Sequence, residues 1–184
     1  PINDVSAWGV FLSYLDYGKT NRVTLQDIYQ DAQSSAKFSG RDLVVGAAYG
    51  RRVTENVSLG ATAKLINGEI DNTSATAFAA DLGLLVRPAD WPVRFGLSVQ
   101  NLGTSLKYDR VKDDLPLLVR GGVGIDLFDN RLNLAADIEK VRNQDVTASA
   151  GAEVRLMDLL ALRVGYDGRI DADNGLTAGF GVKV

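Results

Sequence analysis

The chain has 184 residues, with 20 Lys+Arg against 23 Asp+Glu, a net charge of −3, and neither His nor Cys. Without Cys there is no disulfide framework, thiol nucleophile, zinc ribbon or iron–sulfur site, and without His no Ser-His-Asp triad and no ordinary haem or zinc ligation. The mildly acidic balance speaks against a nucleic-acid partner, which needs a basic face. This length fits one domain, or two small ones at most. The longest apolar run, near Leu82–Val86, is far too short for a membrane helix. A membrane β-barrel stays open, because its segments need only ~10 residues of alternating polarity.

Period-two alternation dominates the chain. Val5–Asp16 reads as a strand whose faces are ambiguous. Tyr17–Gly40 reads as an outer loop with room for a hairpin, Val23–Ile28 being a candidate short strand. Asp42–Gly50 carries Leu43, Val45, Ala47 and Tyr49 on one face. Next, Val57, Leu59, Ala61, Ala63 and Leu65 alternate with Ser58, Gly60, Thr62 and Lys64. Phe78–Val86, Val93–Val99, Val119–Leu127, Leu132–Ile138, Ala148–Leu156 and Leu160–Tyr166 follow the same rule. Leu176–Val184 closes the series, with Leu176, Ala178, Phe180, Val182 and Val184 opposite Thr177, Gly179, Gly181 and Lys183. The reading predicts about ten strands and no internal domain boundary.

Connections alternate in length. Arg51–Asn56, Pro88–Pro92, Phe128–Arg131 and Met157–Asp158 are short. Asn67–Ser74, Leu102–Pro116, Lys140–Asp145 and Asp167–Asn174 are longer. Asn67-Gly68, Asp129-Asn130, Asp167-Gly168 and Asn174-Gly175 read as turn signals. In an antiparallel meander this puts tight turns at one end and loops at the other, as in outer-membrane barrels. Two aromatic belts follow: Trp8, Tyr49, Trp91 and Phe128 at the short-turn end, and Tyr14, Tyr17, Phe78 and Tyr166 at the long-loop end.

The polar faces collect Lys64, Asp81, Arg87, Arg94, Arg120, Asp126, Asp137, Glu139, Glu153, Arg155, Arg163 and Lys183, seven basic and five acidic. A mid-bilayer Arg or Lys facing lipid costs ~2–4 kcal/mol, so these residues are expected to line a lumen. Ion pairing is the plain reading of them; a selectivity surface for a small or anionic solute is the functional one. Other motifs carry less. Asp167–Gly175 faintly resembles a calcium loop but lacks the distal bidentate Glu, and reads as a hairpin loop. Asp109–Asp114 reads as a solvated charge run. Gly121–Gly124 lies within a strand, with no following helix to cradle phosphate. Asp137 and Glu139 lie ~7 Å apart on one strand face, a glycosidase-like separation with no cleft to serve. No metal or cofactor site is expected, and no enzyme.

An ordered series of motifs points to a family. It runs Tyr14-Leu-Asp-Tyr-Gly18, Phe38-Ser39, Gly60-Ala-Thr-Ala-Lys-Leu65, Ala80-Asp-Leu-Gly-Leu-Leu85, Asn101-Leu-Gly103, Leu115-Pro116, Ala136-Asp137, Gly151-Ala-Glu153, Leu162-Arg-Val-Gly-Tyr166 and Gly175-Leu-Thr-Ala-Gly-Phe-Gly181. Over nearly its whole length the chain resembles the carboxy-terminal part of the PorV/PorQ family of bacterial outer-membrane barrels, relatives of the FadL long-chain fatty-acid transporters. The resemblance implies a barrel of about fourteen strands in a transport or type IX secretion system, with hydrophobic solute, secretion subunits or secreted cargo as partners. Against the family, Pro1 is followed at once by strand-like sequence, without the signal peptide or the Asn-Pro-Ala-Gly motif that enters the barrel, and Val184 stands where an aromatic usually closes such barrels. Two expectations follow: a piece of a fourteen-stranded barrel, or a barrel reduced to about ten strands.

The sequence predicts an all-β, antiparallel up-and-down transmembrane β-barrel over 1–184, a single domain in the bacterial outer membrane, in contact with its lipid. The 17–40 and 102–116 loops are expected to dock partners outside. The alternative is a soluble all-β sandwich or lipocalin-like protein, with the apolar faces inside and Lys64, Arg120 and Arg163 outside.

Overall fold

The structure, a computed structural model, describes residues 5–21, 37–71, 73–108, 111–157, 159–169 and 174–183. Ten strands form one antiparallel sheet: β1 (Ser6–Asn21), β2 (Lys37–Arg52), β3 (Val57–Ile70), β4 (Thr73–Val86), β5 (Val93–Gly103), β8 (Leu118–Leu127), β9 (Leu132–Val141), β10 (Val146–Leu156), β11 (Leu160–Asp167) and β12 (Leu176–Val182). Each pairs with the next along the chain. The exception is β5, which pairs with β8 because β6 (Leu106–Tyr108) and β7 (Val111–Asp113) form a separate hairpin between them.

The register fixes the faces, because directly opposed residues share one. Trp8, Val10, Leu12 and Tyr14 oppose Tyr49, Ala47, Val45 and Leu43, which resolves the ambiguity of the first strand. The same face continues through Leu65 and Phe78, Leu84 and Leu97, Ile125 and Leu134, and Leu162 and Phe180. It stays open: Trp8 is 62% exposed, Val10 72% and Phe180 76%. Among the described residues the buried hydrophobics are only Ala75, Ala77, Ala79 and Leu115. The chain exposes 13548 Å², whereas a compact monomer of 19.7 kDa would expose about 8,600 Å². A sandwich or lipocalin-like barrel would have buried the apolar face; this sheet does not.

Several strands run further than alternation alone indicated. β3 continues through Asn67-Gly68 to Ile70, and β4 begins at Thr73. Asn67-Gly68 is therefore a strand segment and not a turn. A Cβ at Gly68 would collide with the Tyr108 hydroxyl, so the glycine makes room for a side chain from the β6–β7 hairpin. Residues 17–21 and 37–40 also belong to strands, while 22–36, including the candidate strand Val23–Ile28, lie outside the described residues. The Asp129-Asn130 turn is present, with Phe128, Asp129 and Asn130 all at positive φ.

The chain leaves β5 through a bulge. Register shifts between Ala80 and Leu82, and Asn101 adopts a left-handed φ of 60°. Asn is among the few residues that visit this region routinely. Gly103 then passes so close to β4 that a Cβ would fall on the Phe78 carbonyl oxygen, and Thr104 hydrogen-bonds both the amide and the carbonyl of Phe78. Gly103→Ala is expected to break this register and free the hairpin. Faster limited proteolysis within 102–116, with the rest of the sheet still protected, checks it; unchanged cleavage contradicts it.

Candidate functional site

One face of the sheet carries most of the ion pairs. The register places Lys64, Asp81, Arg94, Arg120, Asp126, Asp137, Glu139, Glu153, Arg155 and Arg163 on it. Arg87 and Lys183, each one residue past a strand, continue the same alternation. These charges pair mostly across neighbouring strands. Arg94 bonds Asp126, Arg120 bonds Glu139 through Nε at 2.8 Å and through Nη2, and Glu153 takes both Arg155 and Arg163. Lys64 Nζ lies 2.6 Å from Asp81 Oδ1 and also donates to Asn101 Oδ1. In turn Asp81 Oδ1 accepts the Asn101 amide at 2.8 Å, so a half-buried ion pair pins the bulge.

Long side chains on this face rest beside glycines. The Arg94 guanidinium covers Gly124, Arg163 lies by Gly181, Asp137 sits against Gly122 and the Phe11 ring covers Gly46. Between the ion pairs runs a trench of about 520 Å³, floored by Gly60, Gly83, Gly96 and Gly122 and rimmed by Arg94, Arg120 and Asp137. Asp137 and Glu139 do not act as a pair, because Glu139 is taken by Arg120.

The polarity of the two faces inverts at one level. On β3, Leu59, Ala61, Ala63 and Leu65 share the apolar face, but Asn67 and Glu69 follow on that same face, while Ile66, Gly68 and Ile70 follow Lys64 on the other. β4 mirrors this: Thr76 and Ser74 succeed Phe78, while Ala79, Ala77 and Ala75 succeed Asp81. On β2, Arg41 succeeds Leu43 and bonds Glu69 through Nε and Nη2 at 2.9 and 2.6 Å. Beyond this level β3 and β4 are polar where they were apolar and apolar where they were ionic.

The β6–β7 hairpin covers the newly apolar side. Leu115 joins Ala77 and Ala79 in the core cluster, with Ile66 and Leu106 packed against it. The 102–116 segment thus folds over the ionic-side surface instead of projecting outward as a docking loop. Asp114 holds it. It accepts from the Ser105 hydroxyl, and Lys112 Nζ and Arg142 Nη1 lie 3.3 and 3.4 Å from its carboxylate. The Ser105 hydrogen bond, and next Lys112, hold its carboxyl below the usual range. A depressed folded pKa means this contribution is present above the ordinary carboxylate pKa and is lost as pH falls through the lowered value. Hairpin protection from protease is therefore expected to be flat from neutrality to about pH 4 and to fall in stronger acid. Asp114→Asn should show the loosened state already at neutral pH.

The belts need one correction. Trp8 and Tyr49 face each other on the apolar side, Trp91 and Phe128 occupy turns at the same end, and Tyr14, Phe78 and Tyr166 lie on the apolar face at the opposite end. Tyr17 does not join them. Three residues on from Tyr14, it falls on the opposite face by alternation, just before the irregularity between Asp16 and Lys19, and its hydroxyl donates to Asp42 Oδ2 at 2.5 Å. In the Asp167–Gly175 segment, Asp171 and Asp173 lie outside the described residues, and Asp167 binds Arg169 and Ser149. Likewise Asp109 and Arg110 of the charge run are not described. Alternation gave no sign of Asn101 and Ser105 as organising residues, since hydrogen bonds in a bulge leave no period.

The sequence matches no protein-family model and no curated protein. Solved structures do match. The TodX deltaS2S3 mutant monoaromatic hydrocarbon channel superposes with a TM-score of 0.59 and 15% identity, over 96% of this chain and 64% of that one. The crystal structure of a Pseudomonas aeruginosa FadL homologue gives a TM-score of 0.52 and 12% identity, over 91% of this chain and 58% of that one. The chain thus spans less than two thirds of each. At these identities the likeness is one of fold, and the ten antiparallel strands have the architecture of a FadL-like barrel wall.

Proposed function

We propose that the chain forms, as a single domain over 1–184, the wall of a non-enzymatic bacterial outer-membrane β-barrel that passes small hydrophobic solutes. The polarity inversion carries this reading. A sheet in lipid needs an apolar outside, and a sheet in water needs a polar outside with a core beneath, so one level where both switch marks the edge of a bilayer. Arg41 and Arg51 bracket Leu43, Val45, Ala47 and Tyr49 on β2. Their spacing is ~34 Å along the strand, or ~26 Å of height at a tilt of ~40°, against an apolar band of ~25 Å in such barrels. On this reading the twelve ionic-face residues line the lumen, their pairing leaving little net field to bind a charged solute. On this reading Trp8, Tyr49, Trp91 and Phe128 sit at one interface, and Tyr14, Phe78 and Tyr166 at the other. The fold likeness to a monoaromatic hydrocarbon channel supports a hydrophobic cargo.

Extraction is expected to require detergent, with a β-rich product that resists heating in mild SDS. Vesicles carrying the chain should take up a hydrophobic aromatic probe faster than empty vesicles. Release from cells as a monomer in plain buffer would overturn the proposal. The secretion role implied by the PorV/PorQ resemblance draws on that resemblance alone; retention of secreted proteins on the purified chain is its test.

A further inference from the structure

The apolar face is not uniformly filled. Trp8, Tyr49, Ala61 and Leu82 form one cross-strand row, and Arg51 and Leu59 begin the next. The small Ala61 lies between the large Tyr49 and Leu82, and the depression widens into a groove of about 550 Å³ reaching β5. Four strands at ~4.8 Å spacing make the groove ~14 Å long, and its lining is almost wholly aliphatic apart from Tyr49 and Arg51.

Arg51 closes one end. It lies on the apolar face, is exposed, and its guanidinium has no hydrogen-bond or ion-pair partner among the described residues. Arg41, at the opposite edge of the same face, is neutralised by Glu69. Arg51 therefore meets the membrane boundary as a cation without a counter-charge among the described residues, at the short-turn end, which in outer-membrane barrels faces the periplasm. A guanidinium binds phosphate oxygens in a bidentate fork, and its aliphatic stem suits the edge of an apolar surface.

We infer that this groove is a binding site for one anionic phospholipid of the inner leaflet, with an acyl chain across Ala61 and the phosphate on Arg51. The inference rests on the membrane reading above. The headgroup supplies the charge that Arg51 lacks, and the chain fills the depression that Ala61 leaves.

Trp8 flanks the groove and reports on it. Replacing Trp91 by Phe leaves Trp8 as the sole tryptophan of the two in the chain. The full chain is placed in phosphatidylcholine vesicles containing increasing mole fractions of either brominated phosphatidylglycerol or brominated phosphatidylcholine. One arginine near an anionic headgroup corresponds to about a fivefold preference, so brominated phosphatidylglycerol should quench Trp8 at about one-fifth of the mole fraction. Arg51→Gln should equalise the two lipids, and Ala61→Leu should weaken quenching by phosphatidylglycerol. Equal quenching in the parent chain, or an unchanged preference in either variant, overturns the site and leaves the membrane reading standing. Absence of quenching by both lipids overturns the membrane reading itself.

Discussion

Ala63→Arg is expected to cost about 2–4 kcal/mol of stability in vesicles, while Thr62→Arg, one residue away, should cost well under ~1 kcal/mol. The two positions sit at the same depth on opposite faces. Ala63 lies between Ala47 and Ala80 on the apolar side, so an arginine there loses little packing and, on the membrane reading, meets acyl chains. Thr62 lies between Ala48 and Asp81, so an arginine there gains a carboxylate neighbour. Urea unfolding from vesicles gives the two values. Equal costs would show that both faces meet the same solvent, and the barrel assignment would fall. The pair isolates solvent from packing, which a leucine-to-arginine change would confound.

Asp81→Ala is expected to destabilise the sheet by about 3 kcal/mol. Lys64 and Asp81 are the most enclosed ion pair described, with side-chain exposures of 11% and 22%. Removing the carboxylate leaves the lysine charge little exposed and without its counter-ion, and strips the Asn101 amide of its acceptor. The double variant Lys64→Met with Asp81→Leu should recover most of the loss, because an apolar pair carries no desolvation penalty. A double-variant cost equal to the sum of the single costs would show that the two groups act independently. The hairpin gives a second reading of the same event. Asn101 Nδ2 donates to the Pro116 carbonyl at 2.9 Å, so loss of Asp81 should also loosen residues 102–116.

These two sites differ in how far they could be read from the residues. Alternation with period two was enough to place Ala63 and Thr62 on opposite faces, because a strand sends successive side chains to opposite sides whatever its neighbours do. It also put Lys64 and Asp81 on the polar side, without saying that they touch. Contact depends on register, and register here depends on where the bulge at Asn101 falls. The Asn67-Gly68 dipeptide misled for a related reason. Locally it is a turn signal; in place, its glycine is kept small by the Tyr108 side chain arriving from a distant hairpin.

Sequence by itself determined the strands of the sheet, their two unlike faces and the ionic character of one of them. Those are properties of neighbours along the chain, set by backbone geometry and transfer free energy. Tertiary structure alone decided that the β6–β7 hairpin folds back over the wall, and that the exchange of polarity falls at one level on both β3 and β4. Each of these requires residues far apart in the chain to meet at one height, and no local period carries that information.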